Sequence, residues 1–419
     1  MSLIFFILIA FPYITPFSTS FDTQPWALIF SVIYFVYSLF SSQKEKMNKL
    51  LVFNMLMLLF TTLSFLIFAV LGLNNILDGL KSLLAYWSLF FIPYTTVKLT
   101  KNLHGKQLKY FVFIWLIVGL VQYLINPTFG ISLLHRISRS QNRGITSLAP
   151  EPAWLGRWGI FVIVINDYFR IANKTTKKDY KVILFCSIIL IILSASGMGM
   201  ALLALYIVIR TVAELYISKN FKNALIFLFF GCVLYLSFSY IPIFAESRAG
   251  TLLYEFKTDA SSLRKYGGVS LRLGNPIRAI YGGMIETKGF GFGLGSTVFD
   301  DKLLPSWLIN ILSVQGIEST WGGRVRGGLV SMVYEVGFVG LLYLFHLFYI
   351  FIKPIRISTS KIPSTHKICF STSLFVVFGS VFIEGALSNP LLGFIIGLNI
   401  FYLSEYGRIR NNTVPVKPL

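Results

Sequence analysis

Residues 50–73 read LLVFNMLMLLFTTLSFLIFAVLGL, without one Asp, Glu, Lys, Arg, His or Pro. A helix needs roughly 20 apolar residues to cross the hydrocarbon core of a bilayer, and this run is long enough to do so. Comparable runs occupy 3–17, 26–41, 76–97, 109–125, 153–169, 181–195, 197–217, 222–245, 327–352, 368–384 and 389–406. The chain of 419 residues is 55% hydrophobic and 13% charged, with a mean hydropathy of +0.72. Soluble domains carry about 25% charged residues, so this composition has too few polar groups to cover a globular surface. The expected fold is an all-α integral membrane protein of twelve transmembrane helices. The first run has no preceding basic region and no small-residue cleavage site, and Pro12 and Pro16 close it. It reads as a first membrane helix rather than a cleaved signal.

The net charge of +20 does not point to nucleic acid, because the basic residues are dispersed over many short loops instead of one patch. Loops that face the cytoplasm collect Lys and Arg. Alternate loops and the C-terminal tail, from Lys44 onward, hold 22 of the 37 basic residues, whereas the intervening short loops 18–25, 74–75, 195–197 and 385–388 hold none. Both termini are therefore expected in the cytoplasm, and the protein in the cytoplasmic membrane. Two longer loops, 126–152 and 246–326, are then external. The chain divides into 1–245 (nine transmembrane helices with external loop 126–152), 246–326 (one large, partly helical external loop) and 327–419 (three more helices and a cytoplasmic tail). Helices are expected in the large loop at Arg272–Ile285 and Leu303–Val314, with a glycine-rich turn at 289–295 between them.

Cys186, Cys232 and Cys369 lie in or beside apolar runs and read as packing residues. The four histidines are scattered, and no acid-, His- or Cys-rich spacing suggests a metal or cofactor. Ionisable groups inside membrane runs are costly and direct attention to function. Asp78 and Lys81 stand one helical turn apart. Arg157, Glu335 and Glu384 fall near the external ends of their runs, with Asp167 the exception at the other end. A polar cavity open to the outside accounts for this clustering.

Arginine dominates the external loops: Arg136, Arg139, Arg143, Arg248, Arg264, Arg272, Arg278, Arg324 and Arg326. A guanidinium is permanently charged and grips phosphate through two parallel donors. Several of them around one cavity would suit a diphosphate. Glu151 stands between Pro150 and Pro152, a setting foreign to a helix interior, while Pro152 suits the first position of a helix. Glu151 would then sit at a helix N-terminus, free to accept a proton or to orient Arg157.

With these residues in view, the sequence resembles the oligosaccharide repeat-unit polymerases of O-antigen and capsule synthesis, and the related O-antigen ligases. The likeness lies in Glu151-Pro152 opening a membrane run after an external loop. It continues in Arg272 and Arg278 leading through Glu286 to Gly289-Phe290-Gly291-Phe292-Gly293, and in Gly328-Leu329 through Glu335-Val336-Gly337. Ligases place a histidine shortly before the re-entering helix. Here that region reads Thr320-Trp321-Gly322-Gly323-Arg324-Val325-Arg326, which favours the polymerase. The resemblance implies a metal-independent glycosyltransferase whose donor and acceptor are polyprenyl-diphosphate-linked oligosaccharides, embedded in membrane lipid, with a flippase and a chain-length regulator of the same pathway as partners. Glu151, Arg157, Arg272 and Arg278 are the implied catalytic group. Arg143, Arg324, Arg326, Glu335 and Lys81 are the implied substrate-binding group. A ligase, and a polysaccharide or lipid-linked sugar transporter or flippase, are the competing expectations.

Overall fold

A computed structural model describes residues 1–15, 23–41, 47–71, 76–134, 144–219, 221–240, 251, 254, 279–296, 328–356, 363–383 and 387–411. Among these residues the chain is almost entirely helical, with one isolated β-bridge between Ile14 and Leu134 and no named strand. The α-helices, in order, are α1 (Ser2–Ala10), α2 (Trp26–Phe40), α3 (Lys49–Val70), α4 (Ile76–Leu99), α5 (Gly105–Leu124), α6 (Pro152–Ile171), α7 (Lys177–Leu193), α8 (Gly197–Ala213), α9 (Phe221–Tyr240), α10 (Gly328–Arg356), α11 (Ser364–Ile383) and α12 (Pro390–Asn411). The expected helix at 303–314 lies outside the described residues, as does the first half of the one at 272–285. The described part of the latter is helical from Ala279, with a π-turn over Gly282–Glu286.

α1 is shorter than the apolar run that contains it. Pro12 has no amide hydrogen to continue the ladder, and Phe11 already leaves helical geometry. By length and composition, α3, α5, α10, α4 with its short 3-10 extension, and α8 with its π-turn could each cross a membrane. Their outer faces are apolar: on α3, Leu56, Leu59, Leu63 and Leu66 are exposed at helical spacing. A surface of this kind suits lipid rather than water. Backbone polar groups in lipid must be satisfied internally, which only helices or closed barrels achieve.

Backbone and side-chain hydrogen bonds sort the chain reversals into two ends. At one end, Thr15 N donates to Leu133 O at 3.0 Å and Gln24 N to Pro12 O at 2.8 Å. Ile145 N donates to Leu193 O at 3.0 Å, and Ser88 Oγ to Leu387 O at 3.0 Å. At the opposite end, the Lys174 ammonium caps the last turn of α4 through the carbonyls of Thr100, Lys101 and Leu103, and its burial there pulls its pKa below the usual lysine range. Lys109 pairs with Asp179 at 2.6 Å, and this hydrogen bond holds the Asp179 carboxyl below its ordinary range. The lysines and arginines of the α4–α5, α6–α7 and α8–α9 connections gather at this second end, which is hereafter the basic end.

Helices without a hydrophobic force between them associate by close packing at small residues. α12 lies against α4 at Gly393 and Gly397. A β-carbon at 397 would stand 2.5 Å from Thr96 Cβ and 2.9 Å from Pro93 O. Gly397→Val is therefore expected to push α12 off α4 and to lower the melting temperature of detergent-solubilised protein by a few °C. Gly393→Ala, whose new β-carbon would stand 3.0 Å from the Ile92 side chain and 3.3 Å from Ser88 O, should cost less. Equal melting of Gly397→Val and wild type would contradict this packing.

Candidate functional site

The end remote from the basic loops holds two polar assemblies. The first forms where α10 breaks. Val336 and Gly337 leave helical geometry, Gly337 with φ 57° and ψ −129°, a conformation that glycine alone adopts without strain. The break diverts carbonyls and an amide from the helix ladder. Phe292 N donates to Tyr334 O and Gly293 N to Glu335 O, each at 2.9 Å, while Phe338 N donates to Gly289 O at 2.8 Å. The glycine turn 289–295 thus replaces the missing turn of helix. Phe292 stacks on Tyr334 at 4.8 Å. Thr287 Oγ1 donates to Gly283 O at 2.7 Å and accepts from Gly291 N at 2.8 Å, fixing the entry to the turn.

Glu335 ties this dock to α4. Its Oε1 accepts from Ser82 Oγ at 2.8 Å and Gly295 N at 3.1 Å, and its Oε2 accepts from Tyr86 Oη at 2.7 Å. The carboxylate is buried, and both its oxygens are engaged by three donors from two segments distant in sequence, α4 and the glycine turn. Gly295 lies so close to α4 that a β-carbon there would stand 2.3 Å from Gly79 N. Lys81 pairs with Asp78 at 3.8 Å on the half-exposed first turns of α4.

The second assembly surrounds the start of α6. Gln122, buried on α5, accepts from Ser147 N at 2.7 Å and donates to Ser147 O at 2.9 Å and Phe129 O at 2.8 Å. One carboxamide therefore pins both strands of the loop that leads to Ala149-Pro150-Glu151-Pro152. Pro152 occupies the first turn of α6, and the half-buried Glu151 makes no capping hydrogen bond through its side chain. Arg157, one and a half turns on, is buried with its guanidinium 5.6 Å from the Trp154 ring. Below it, Trp115 and Trp158 stack at 4.1 Å, and both indoles donate to Ala10 O.

Of the residues expected from sequence, Lys81 and Glu335 belong to the first assembly and Glu151 and Arg157 to the second. Arg143, Arg272, Arg278, Arg324 and Arg326 lie outside the described residues. Sequence reasoning missed Ser82, Tyr86 and Gln122. The first two carried a signal, since Asp78, Ser82 and Tyr86 recur at i, i+4 and i+8 and draw a polar stripe down an apolar helix. Among the described residues no group of three or more His, Cys, Asp or Glu could hold a metal ion.

The basic end holds a further buried network. Asp167 accepts from Tyr180 Oη at 2.8 Å, Tyr206 Oη at 2.9 Å and Arg210 Nη1 at 3.3 Å, and Arg210 Nε reaches Glu214 at 3.3 Å. Arg210 is one of the 22 basic residues that the charge count assigns to the alternate loops. It is instead an internal strut joining α6 to α8.

Comparison with known proteins gives no match to any family model, curated protein or solved structure.

Proposed function

We propose that the chain is a polytopic enzyme of the cytoplasmic membrane that polymerises polyprenyl-diphosphate-linked oligosaccharide repeat units on the external face. In this reading all twelve helices cross the membrane, the basic end faces the cytoplasm, and the end bearing Glu151 and the glycine turn faces out. The observation that carries the reading is the dock on Glu335. It anchors both flanks of the arginine-rich segment at the same end of the bundle: Arg278 directly precedes Ala279, which packs on Val330 and Tyr334, and Arg326 stands two residues before the buried Gly328.

The acceptor's terminal sugar hydroxyl attacks the anomeric carbon of the donor's first sugar. The new glycosidic bond forms with inversion as the bond to the lipid diphosphate breaks, and the leaving diphosphate takes the electron pair. Glu151 receives the hydroxyl proton, with Arg157 beside it. Arg272 and Arg278 meet the charge that develops on the departing diphosphate, where preorganised cations act most strongly. Arg324, Arg326, Arg143 and Lys81 hold the second lipid diphosphate at the rim.

Reconstituted protein supplied with a synthetic lipid-linked repeat unit tests this. Glu151→Gln is expected to slow chain growth by about 100-fold or more, the usual contribution of a general base, and Arg272→Ala by a similar factor. Wild-type polymerisation by both variants would remove the site assignment. Single repeat units left unextended by wild type would remove the polymerase.

A further inference from the structure

Two span-length helices meet at the basic end. α4 with its 3-10 extension stops at Asn102 and α5 starts at Gly105, so only Leu103 and His104 separate them. A corner between two such helices stands at the depth where hydrocarbon gives way to lipid headgroups. Lys101 and Lys106 flank it, both exposed. The α6–α7 connection is locked to the same corner. Gly105 N donates to Lys174 O at 2.8 Å, while the Lys174 ammonium holds the carbonyls of Thr100, Lys101 and Leu103. A β-carbon at 105 would collide with Thr175 Oγ1, so the two connections touch with no room for a side chain between them.

Asp179 is the sole acid in residues 98–109 and 170–181. It is already engaged: Lys109 pairs with it at 2.6 Å, and its amide donates to Thr176 Oγ1, the cap of α7, at 3.0 Å. Lys177, Lys178 and Lys181 are exposed beside it at the start of α7, and positions 177 and 181 share one side of that helix. Five exposed lysines therefore stand within a few residues of one fixed backbone contact, and the one acid of the two segments is already paired. Like charges crowded in this way repel one another unless anions lie against them. A lysine lays its methylene stem along apolar surface and extends its ammonium to the phosphate level, and a cationic cluster beside a membrane helix attracts anionic lipid. We infer that Lys101, Lys106, Lys177, Lys178 and Lys181 form a platform that binds the headgroups of anionic phospholipids. The depth of the corner favours lipid over an acidic protein in solution. The inference goes beyond the proposed chemistry and is independent of it, because the platform lies at the end remote from Glu151.

Full-length protein reconstituted in phosphatidylcholine bilayers and probed with spin-labelled phosphatidylglycerol tests the platform. Wild type should prefer this lipid to spin-labelled phosphatidylcholine, and high salt should weaken the preference. A lysine near an anionic headgroup contributes about 5-fold to such binding. The double variant Lys177→Gln, Lys178→Gln should therefore bind phosphatidylglycerol about 10-fold or more weakly, while its melting temperature in pure phosphatidylcholine holds. The variant Lys219→Gln, Lys222→Gln removes the same charge from the α8–α9 connection of the same end and should keep the wild-type preference. Equal losses in the two variants would mean diffuse charge without a platform and would overturn the inference, as would a wild type indifferent to phosphatidylglycerol. A wild type that binds polyglutamate but shows no lipid preference assigns the lysines to an acidic protein and overturns it too. A preserved lipid preference without polymerisation would instead remove the enzyme and retain the platform.

Discussion

Glu335→Ala is expected to lower the melting temperature by about 3–6 °C and to abolish chain growth. The substitution strands the Ser82 and Tyr86 hydroxyls and the Gly295 amide inside the protein at once. Hydrogen bonds to a charged group contribute about 1.5–3 kcal/mol each, so even with partial relaxation the loss is about 3–5 kcal/mol. The glycine turn would then hold to α10 by its backbone bonds at Tyr334, Glu335 and Phe338 and by the Phe292–Tyr334 stack, and its side-chain tie to α4 would fail. Glu335→Gln keeps one acceptor oxygen and should fall between the two. Thermal melting of purified protein checks the order. Wild-type stability in Glu335→Ala would show that the carboxylate holds nothing together.

A second large loss is expected at the basic end. Asp167→Ala removes the shared acceptor of Tyr180 and Tyr206 and leaves the mostly buried Arg210 paired with Glu214. Breaking a buried pair by deleting one partner costs about 3–5 kcal/mol. Asp167→Asn retains an acceptor for a tyrosine and should cost less. Because the network is remote from the proposed chemistry, the surviving folded fraction of Asp167→Asn should polymerise at the wild-type rate. A melting temperature that does not move in Asp167→Ala would contradict the strut.

Helix positions were the most legible part of the sequence. The apolar run at 26–41 corresponds to Trp26–Phe40, and that at 76–97 to Ile76–Leu99, because length and hydropathy act locally. α1 was overread past Ala10, since hydropathy continues past Pro12 while the hydrogen-bond ladder does not. The glycine turn was also legible: Gly289, Gly291, Gly293 and Gly295 all adopt positive φ, which their spacing announces. What the turn docks onto was not. Glu335 stood out as a charge in an apolar run, but its partners Ser82 and Tyr86 lie some 250 positions away, and no local pattern connects them. Gln122 was invisible for the same reason. Asp167 was noticed as the charge at the wrong end. Its pairing with Arg210 explains it, and only tertiary packing brings the two together.

Everything proposed for the chemistry requires the glycine-turn end to face away from the cytoplasm. Lys288, exposed beside that turn, and Lys178, exposed at the start of α7, mark the two ends. In a chain carrying Cys232→Ala, which removes the exposed native thiol, Lys288→Cys should react with a membrane-impermeant maleimide on intact cells, and Lys178→Cys only after permeabilisation. The opposite pattern, with position 178 labelled from outside and 288 protected, would contradict the account.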